Sequence, residues 1–283
     1  MSPAEPVRRE RRRLGLPLLA TEISVLFRRT RTWAMLVALA AVPVLVGVAI
    51  KISSGPDSGR GPSFLSQIAG NGLFVGVASL VLAIPLFLPL TIGVVAGDTI
   101  AGEASQGTLR YLLVAPAGRA RLLVVKFLGA AVFCFAAPLA VVVAGTLTGL
   151  ALFPVGPVTL LSGDQVPVTD GLLRLLAMAA YVGVAMLGMT AVGLFVSTLT
   201  DVPVGAMAAT VVLAVTSEVL DQLPQLEAIH PFLFSDSWLG IVDLLRQPPL
   251  WSTFGTNALL QLGYVVVFGA LAYGRFTTRD VLA

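Results

Sequence analysis

Residues Leu175–Ser217 read LLAMAAYVGVAMLGMTAVGLFVSTLTDVPVGAMAATVVLAVTS, and Asp201 is the only charged residue among them. About 20 consecutive apolar residues are enough to cross the hydrocarbon core of a bilayer, so this run is too long for one helix. Proline is well accommodated in the first turn of a helix but disfavours helical conformation in the residue before it. Asp201 and Pro203 therefore predict a break between two membrane helices that are joined by a tight hairpin.

Further apolar blocks flank this hairpin on both sides. The predicted spans are Trp33–Ile50, Leu73–Ala96, Phe127–Phe153, Leu175–Thr200, Val202–Ser217 and Ala258–Tyr273. Hydrophobic residues make up 57% of the 283 residues and charged residues only 12%, whereas soluble domains carry about 25% charged residues. The sequence therefore predicts an all-α membrane protein with six transmembrane helices, the second of them kinked at Pro85 and Pro89.

Glycines recur in pairs at four-residue spacing. The pairs are Gly72 and Gly76, Gly93 and Gly97, and Gly145 and Gly149. Such pairs let membrane helices pack closely. An apolar chain with 28 glycines also produces them by chance, and we favour this simpler explanation.

Basic residues divide unequally between the two sides of the predicted membrane. Alternate loops, beginning with the arginine-rich N-terminus, hold all but four of the 18 lysines and arginines. The four on the other side are Lys51, Arg60, Arg174 and Arg246. Cytoplasmic loops carry the excess of basic residues, so both termini are predicted to be cytoplasmic. An even number of spans agrees with that orientation.

Two segments outside the spans are apolar enough to contact the membrane. Leu16–Thr32 has apolar residues at helical spacing and predicts an amphipathic helix in the cytoplasmic interface; a cytosolic tail with basic anchors is the alternative. Leu220–Trp251 predicts interfacial or re-entrant helices on the outer side. The predicted organisation is a basic N-terminus (1–15), the amphipathic helix (16–32), a transmembrane domain (33–274) with an outer region at 220–251, and a C-terminus (275–283).

The motifs of several enzyme classes are absent from the sequence. It contains no Gly-x-x-x-x-Gly-Lys-[Ser/Thr] P-loop, no His-Glu-x-x-His and no Gly-x-Ser-x-Gly. One cysteine, Cys134, and one histidine, His230, are too few for a His/Cys metal cluster. No Asp or Glu lies in the middle of a span, where a proton relay usually has one. We therefore predict no catalytic residue, metal or cofactor on this chain.

The segment Gly97–Lys126 joins the second and third spans on the predicted cytoplasmic side. Its leucines at 109, 112 and 113 form an apolar ridge beside Arg110. The ridge needs a cover, which could be lipid headgroups, another part of this chain or a partner protein. Asp98 and Glu103 can pair with basic residues of the same segment (Arg110, Arg119, Arg121 or Lys126) or contact a partner.

This segment resembles the signature of ABC-2 type permeases, the membrane subunits of bacterial ABC exporters. The residues that carry the resemblance are Asp98, Glu103, Gly107, Thr108, Leu109, Leu112, Leu113, Pro116, Arg119, Leu122, Leu123 and Lys126. The resemblance implies a type V exporter-like fold with an N-terminal connecting helix, a cytoplasmic coupling helix and outer re-entrant helices. The coupling helix would lie within 97–126 and dock on the ATPase. The implied ATPase-coupling residues are Asp98, Glu103, Gly107, Thr108, Leu109, Arg110, Leu112, Leu113, Pro116, Arg119 and Lys126.

The resemblance also implies partners and a location. The chain would pair with a second permease, identical or not, and with two ATPase subunits that carry the ATP and Mg, in a bacterial inner membrane. The apolar spans favour export of a hydrophobic or amphipathic compound such as a drug, lipid or peptide, and nothing indicates a nucleic-acid partner. The competing hypotheses are a proton-coupled secondary carrier, disfavoured by the missing mid-span carboxylates, and an ATPase-independent membrane enzyme or scaffold.

Overall fold

The computed structural model describes residues 15–53, 70–108, 118–160, 162–248 and 251–278. Within these ranges nearly every residue is helical. The α-helices there are α1 (Gly15–Arg28), α2 (Thr30–Ser53), α3 (Leu73–Ala83), α4 (Phe87–Ser105), α5 (Arg119–Leu152), α6 (Val168–Ala185), α7 (Leu187–Leu199), α8 (Pro203–Asp221) and α9 (Trp251–Thr278). Two 3-10 helices, Pro224–Phe232 and Trp238–Leu245, and a two-stranded antiparallel hairpin, Val158–Thr159 with Gln165–Val166, complete the described elements.

Six helical segments of the described chain are long and apolar enough to cross a membrane. They are α2, α4, α5, the α6–α7 pair, α8 and α9, and the shorter apolar helix α3 precedes α4. Each corresponds to one predicted span. The prediction of an all-α protein with six transmembrane helices is therefore confirmed.

The predicted hairpin is present between α7 and α8. Helix α7 ends at Leu199, and Pro203 stands in the first turn of α8. The backbone N–H of Val202 donates to the Thr200 hydroxyl at 3.1 Å, which stabilises the short extended connection. Proline at this position removes no helical hydrogen bond, because a first-turn N–H has no acceptor within the helix.

Helix ends differ from the ends of the apolar blocks. Helix α5 begins at Arg119 rather than Phe127, and α9 begins at Trp251 rather than Ala258. The apolar pattern marks only the part of a helix that lies in hydrocarbon, whereas backbone hydrogen bonding continues into the interface. The second span is interrupted between α3 and α4, at 84–86, because Pro85 cannot donate a hydrogen bond to the preceding turn.

The glycine pairs lie at close helix crossings, so the expectation that they arise by chance is wrong. Helices α3 and α5 approach each other so closely that a Cβ on Gly145 would lie 2.6 Å from the Gly76 Cα. A Cβ on Gly149 would overlap the carbonyl oxygen of Gly72. A Cβ on Gly97 would lie 2.7 Å from the backbone of Met207 in α8. Small residues at these positions let the backbones pack directly against each other.

The two ends of the helix bundle differ in character. The basal end is defined here by Arg29, Asp98, Lys126 and the C-terminal turn of α9, and it carries most of the ion pairs of the described residues. The apical end carries the β-hairpin and the 3-10 helices. Trp238 anchors the second 3-10 helix there: it is 1% exposed, and its indole N–H donates to the Ala185 carbonyl at 3.1 Å.

Candidate coupling site at the basal end

The structure describes six of the eleven residues predicted to couple the chain to an ATPase. Asp98 and Glu103 lie in the last turns of α4, Gly107 and Thr108 follow that helix, and Arg119 and Lys126 lie in the first turns of α5. The predicted residues Leu109, Arg110, Leu112, Leu113 and Pro116 lie outside the described residues. The site can therefore be built from the two ends of the connecting segment.

Lys126 is a buried cation held between two carboxylates. Its side chain is 4% exposed, and its Nζ lies 2.9 Å from Glu22 Oε1 and 2.8 Å from Glu103 Oε1. An ammonium group is expensive to bury unless it is paired and hydrogen-bonded. The two carboxylates come from α1 and α4, so Lys126 joins three helices at one point.

Glu103 also organises the chain that leaves α4. The Thr108 backbone N–H donates to the Glu103 carbonyl at 3.1 Å, and the Thr108 hydroxyl donates to the Glu103 carboxylate. Gly107 has a φ of +70°, the left-handed conformation that glycine adopts readily just beyond a helix. The start of the connecting segment is thereby fixed to the carboxylate that also binds Lys126.

Asp98 forms a second connection to the N-terminal part of the chain. Its Oδ2 accepts hydrogen bonds from Arg29, at 2.9 Å, and from Arg31. The two arginines lie where α1 passes into α2. Gly102 leaves room for this carboxylate, because a Cβ there would lie 2.7 Å from Asp98 Oδ1. The Asp98 contacts hold the junction of α1 and α2 against α4.

The first turn of α5 is bound to the last turn of α9. The Arg119 Nη1 donates to the carbonyl oxygens of Phe276, at 3.3 Å, and Thr277, at 2.7 Å. Carbonyl groups in the last turn of a helix have no partner within the helix, and a cation there also interacts favourably with the helix dipole. Arg119 thus provides hydrogen bonds to the terminal carbonyl groups of α9 and joins this helix to α5.

Ser197 joins α4 to α7 beside the hairpin. Its fully buried hydroxyl accepts hydrogen bonds from the backbone N–H groups of Ile100 and Ala101, each at 2.9 Å, and donates to the Gly97 carbonyl at 2.7 Å. Three hydrogen bonds from one hydroxyl fix the position of α7 along α4. These hydrogen bonds therefore hold α7 against the part of α4 that carries Asp98.

The contacts at the basal end join helices to one another through paired charges. Every carboxylate of the basal cluster, which we define as Glu22, Arg29, Arg31, Asp98, Glu103 and Lys126, is paired with a cation. Among the described residues no group of three His, Cys, Asp or Glu side chains could hold a metal ion. The cluster instead links α1, α2, α4 and α5 to the start of the connecting segment.

The sequence model of the ABC-2 family transporter proteins matches residues 16–281. The chain belongs to this family. The match begins within α1 and extends past the end of α9, so it includes the whole basal cluster and all six spans. No curated protein matches the chain.

Membership of the ABC-2 family shows what kind of protein carries the basal cluster. The chain is a multi-pass membrane protein and the permease subunit of an ABC transporter, and it associates with ABC ATPase partners. ABC-2 permeases are membrane components of transport, and the resemblance seen in Gly97–Lys126 is confirmed at the level of the family.

Sequence reasoning found one ion pair of this ABC-2 permease and missed the others. Glu103 pairs with Lys126, one of the partners predicted for it. Asp98 pairs instead with Arg29 and Arg31, since the fold brings the junction of α1 and α2 against α4. The prediction for Leu16–Thr32 made these arginines polar residues of an interfacial amphipathic helix, with basic anchors of a cytosolic tail as the alternative. Glu22 carried one usable signal, because it is the only carboxylate in α1.

Proposed function

We propose that this chain is the permease of a bacterial ABC exporter and that Gly97–Lys126 contains its coupling helix. The observation that carries the proposal is the burial of Lys126 between Glu22 and Glu103, at the point where the connecting segment returns to the bundle. Two ATPase subunits, which carry the ATP and Mg, would dock on this segment. A second permease, identical or not, would complete the path for the cargo.

The basal cluster supports a mechanism for coupling. Closure of the ATPase pair on ATP displaces the segment that begins at Thr108. Because Thr108 is bound to Glu103, and Glu103 to Lys126, the ends of α4 and α5 and the helix α1 move together. ATP shifts this equilibrium only to the extent that the ATPase binds one arrangement of the permease more tightly than the other.

The orientation that fits this mechanism places the basal end in the cytoplasm of a bacterial inner membrane, with both termini on that side. The distribution of arginines supports it, since basic residues are enriched on the cytoplasmic side of membrane proteins. We further propose a hydrophobic or amphipathic cargo, such as a drug, lipid or peptide. Among the described residues, the buried charged side chains are Asp98 and Lys126, and both lie at the basal end.

Co-purification with the ATPase tests the docking assignment. We expect the permease alone to hydrolyse no ATP and to capture its ABC ATPase when the two are expressed together. Replacing Leu109 and Leu113 by Asp should abolish that capture while membrane insertion persists, because a charged surface no longer fits an apolar docking site. Leu223→Asp, at an exposed leucine of the apical end, is the matched control and should leave capture unchanged. Equal capture by all variants would refute the assignment.

A further inference from the structure

An apolar groove runs along the outside of the bundle between α5 and α9. Its volume is about 370 Å³. The residues that line it are Ala120, Leu123, Val124, Phe127, Ala191, Leu194, Val265, Gly269 and Tyr273. Helices α5 and α9 form its walls, and α7 lies behind them as its floor. The phenol hydroxyl of Tyr273 is the one polar side-chain group in this lining.

The floor of the groove is buried, while its rim faces outward. Ala191 and Leu194 are 1% and 2% exposed, whereas Val124 and Tyr273 on the rim are 55% and 47% exposed. A Cβ built on Gly269 would meet nothing within 4 Å. The groove is thus a real indentation with space in it, and a ligand can enter from the side of the bundle.

The position of the groove along α9 places it at the edge of the membrane. This helix carries no charged residue before Arg275, so its apolar part ends one turn beyond Gly269. From Tyr273 to Val265 the groove is about 12 Å long, at 1.5 Å per helical residue. Tyrosine favours the interface between headgroups and hydrocarbon. The groove therefore begins at the basal interface and extends into the hydrocarbon layer.

Two arginines of α5 lie at the basal mouth of the groove. Arg119 bridges α5 and α9 there through the carbonyl groups of Phe276 and Thr277. Arg121 lies three residues before the rim residue Val124, so the two are on the same side of α5, and Arg121 makes no ion pair with another described residue. Cations at a membrane surface attract anionic lipid headgroups.

We propose that this groove binds one acyl chain of an anionic phospholipid from the basal leaflet, with the phosphate beside Arg121. The acyl chain is the occupant that matches the features together: an apolar channel open to the side, starting at headgroup level and bounded there by cations. An apolar helix of a second protein would leave Arg121 without an anionic partner. The proposal stands whether or not the basal segment docks on an ATPase.

Photolabelling in nanodiscs tests the proposal on the full-length chain. The nanodiscs contain phosphatidylcholine and a phosphatidylglycerol whose acyl chain carries a diazirine, and labelled peptides are identified by mass spectrometry. We expect more label on Phe127 and Val265, which are half-buried in the lining of the groove, than on Val266, which faces outward beside it. No excess of label on Phe127 and Val265, or protection by a second copy of the chain or another protein, would overturn the proposal.

Two glycines of α9 provide a matched pair of variants. Gly269→Leu fills the groove, while Gly263→Leu makes the same change at a glycine outside its lining that also has open space around it. Displacing two methylene groups of the lipid is worth on the order of tenfold in affinity. Labelling of Val265 should therefore fall about tenfold in Gly269→Leu and stay unchanged in Gly263→Leu. Equal labelling in the two variants would show that the lipid does not use the groove.

The headgroup preference has its own test. Replacing Arg121 by Gln should reduce labelling by the phosphatidylglycerol probe and leave labelling by a phosphatidylcholine probe of the same acyl chain unchanged. If the wild-type chain takes up both probes equally at Val265, the anionic part of the proposal is wrong.

Discussion

The ammonium group of Lys126 lies between carboxylates from two other helices, and its burial makes it sensitive to substitution. The side chains of Glu22 and Glu103 are 24% and 16% exposed, so both carboxylates depend on the Lys126 ammonium group for much of their stabilisation. Removing one partner of a buried ion pair leaves the remaining charge uncompensated. The cluster therefore depends on this residue more than on either carboxylate.

Lys126→Met keeps an unbranched side chain one atom shorter than lysine and removes its charge. We expect the permease to lose about 3–5 kcal/mol of stability, the usual cost of breaking a buried pair, and transport to fall while the ATPase still binds. Thermal unfolding in detergent and vesicle transport are the measurements. Lys51→Met is the control, since Lys51 is exposed at the apical end of α2; a similar loss in both variants would contradict the special role of Lys126.

Ser197→Ala removes a hydroxyl that three backbone groups share. The Ile100 and Ala101 N–H groups would then be buried without that acceptor, which costs about 1–3 kcal/mol. We expect a lower unfolding temperature than in Ser53→Ala, where the hydroxyl is exposed and bonds only to its own helix. A Ser197→Ala permease as stable as the wild type would show that water or helix movement replaces the hydroxyl.

At the level of single residues, the sequence could identify charges but not their partners. Glu103 and Lys126 lie 23 positions apart on either side of one connection, so their pairing was within reach of the pattern. Arg29 and Asp98 are 69 positions apart, and their contact follows from the packing of α2 against α4. No spacing rule reports such a contact, since it is set by the three-dimensional arrangement of the spans.

At the level of helices, apolar blocks predicted which segments cross the membrane but not where the helices end. Helix α5 has 34 residues and is about 51 Å long at 1.5 Å per residue, well beyond the roughly 30 Å hydrocarbon core. The extra turns carry Arg119 and Lys126. The polar ends that composition assigned to loops are thus helical, and they hold the basal contacts.

The α3–α5 crossing leads to a prediction about glycine. Gly149→Ala should destabilise the permease, because the new Cβ would overlap the carbonyl of Gly72 and push the helices apart. Gly274→Ala, with open space around it in α9, should instead be neutral or stabilising, as Ala is favoured over Gly in a helix by about 1 kcal/mol. Unfolding temperatures in detergent measure both effects. Equal responses would mean that α3 and α5 are farther apart than in this structure.

For the whole molecule, the sequence predicted the class of protein but not the compound that it transports. Length, hydropathy and the segment 97–126 together were enough for the six spans and the ABC-2 family. The cargo cannot be predicted in the same way, because the spans of this chain are apolar and, in the function proposed above, a second permease completes the path. An apolar wall carries little information about the compound that passes it.

Reporter fusions test the orientation of the whole molecule. Because basic residues collect at one end, we expect tags at both termini to be cytoplasmic, and a tag in the hairpin after Leu160 to be on the opposite side of the membrane. Alkaline phosphatase activity and fluorescent-protein emission distinguish the two sides. A terminal tag on the outer side would rule out the proposed orientation.

The bond between Glu22 and Lys126 spans 104 positions, and a ribosome makes the first of these residues long before the second. At about 5–20 residues per second, the delay is between about 5 and 20 seconds. During that time the first two spans are synthesised while the carboxylate of α1 has no cation at this site. The N-terminal helix is therefore made early and joined to α5 only after both of these spans have been made, and a chain stalled before Lys126 would expose an unattached α1 to proteases.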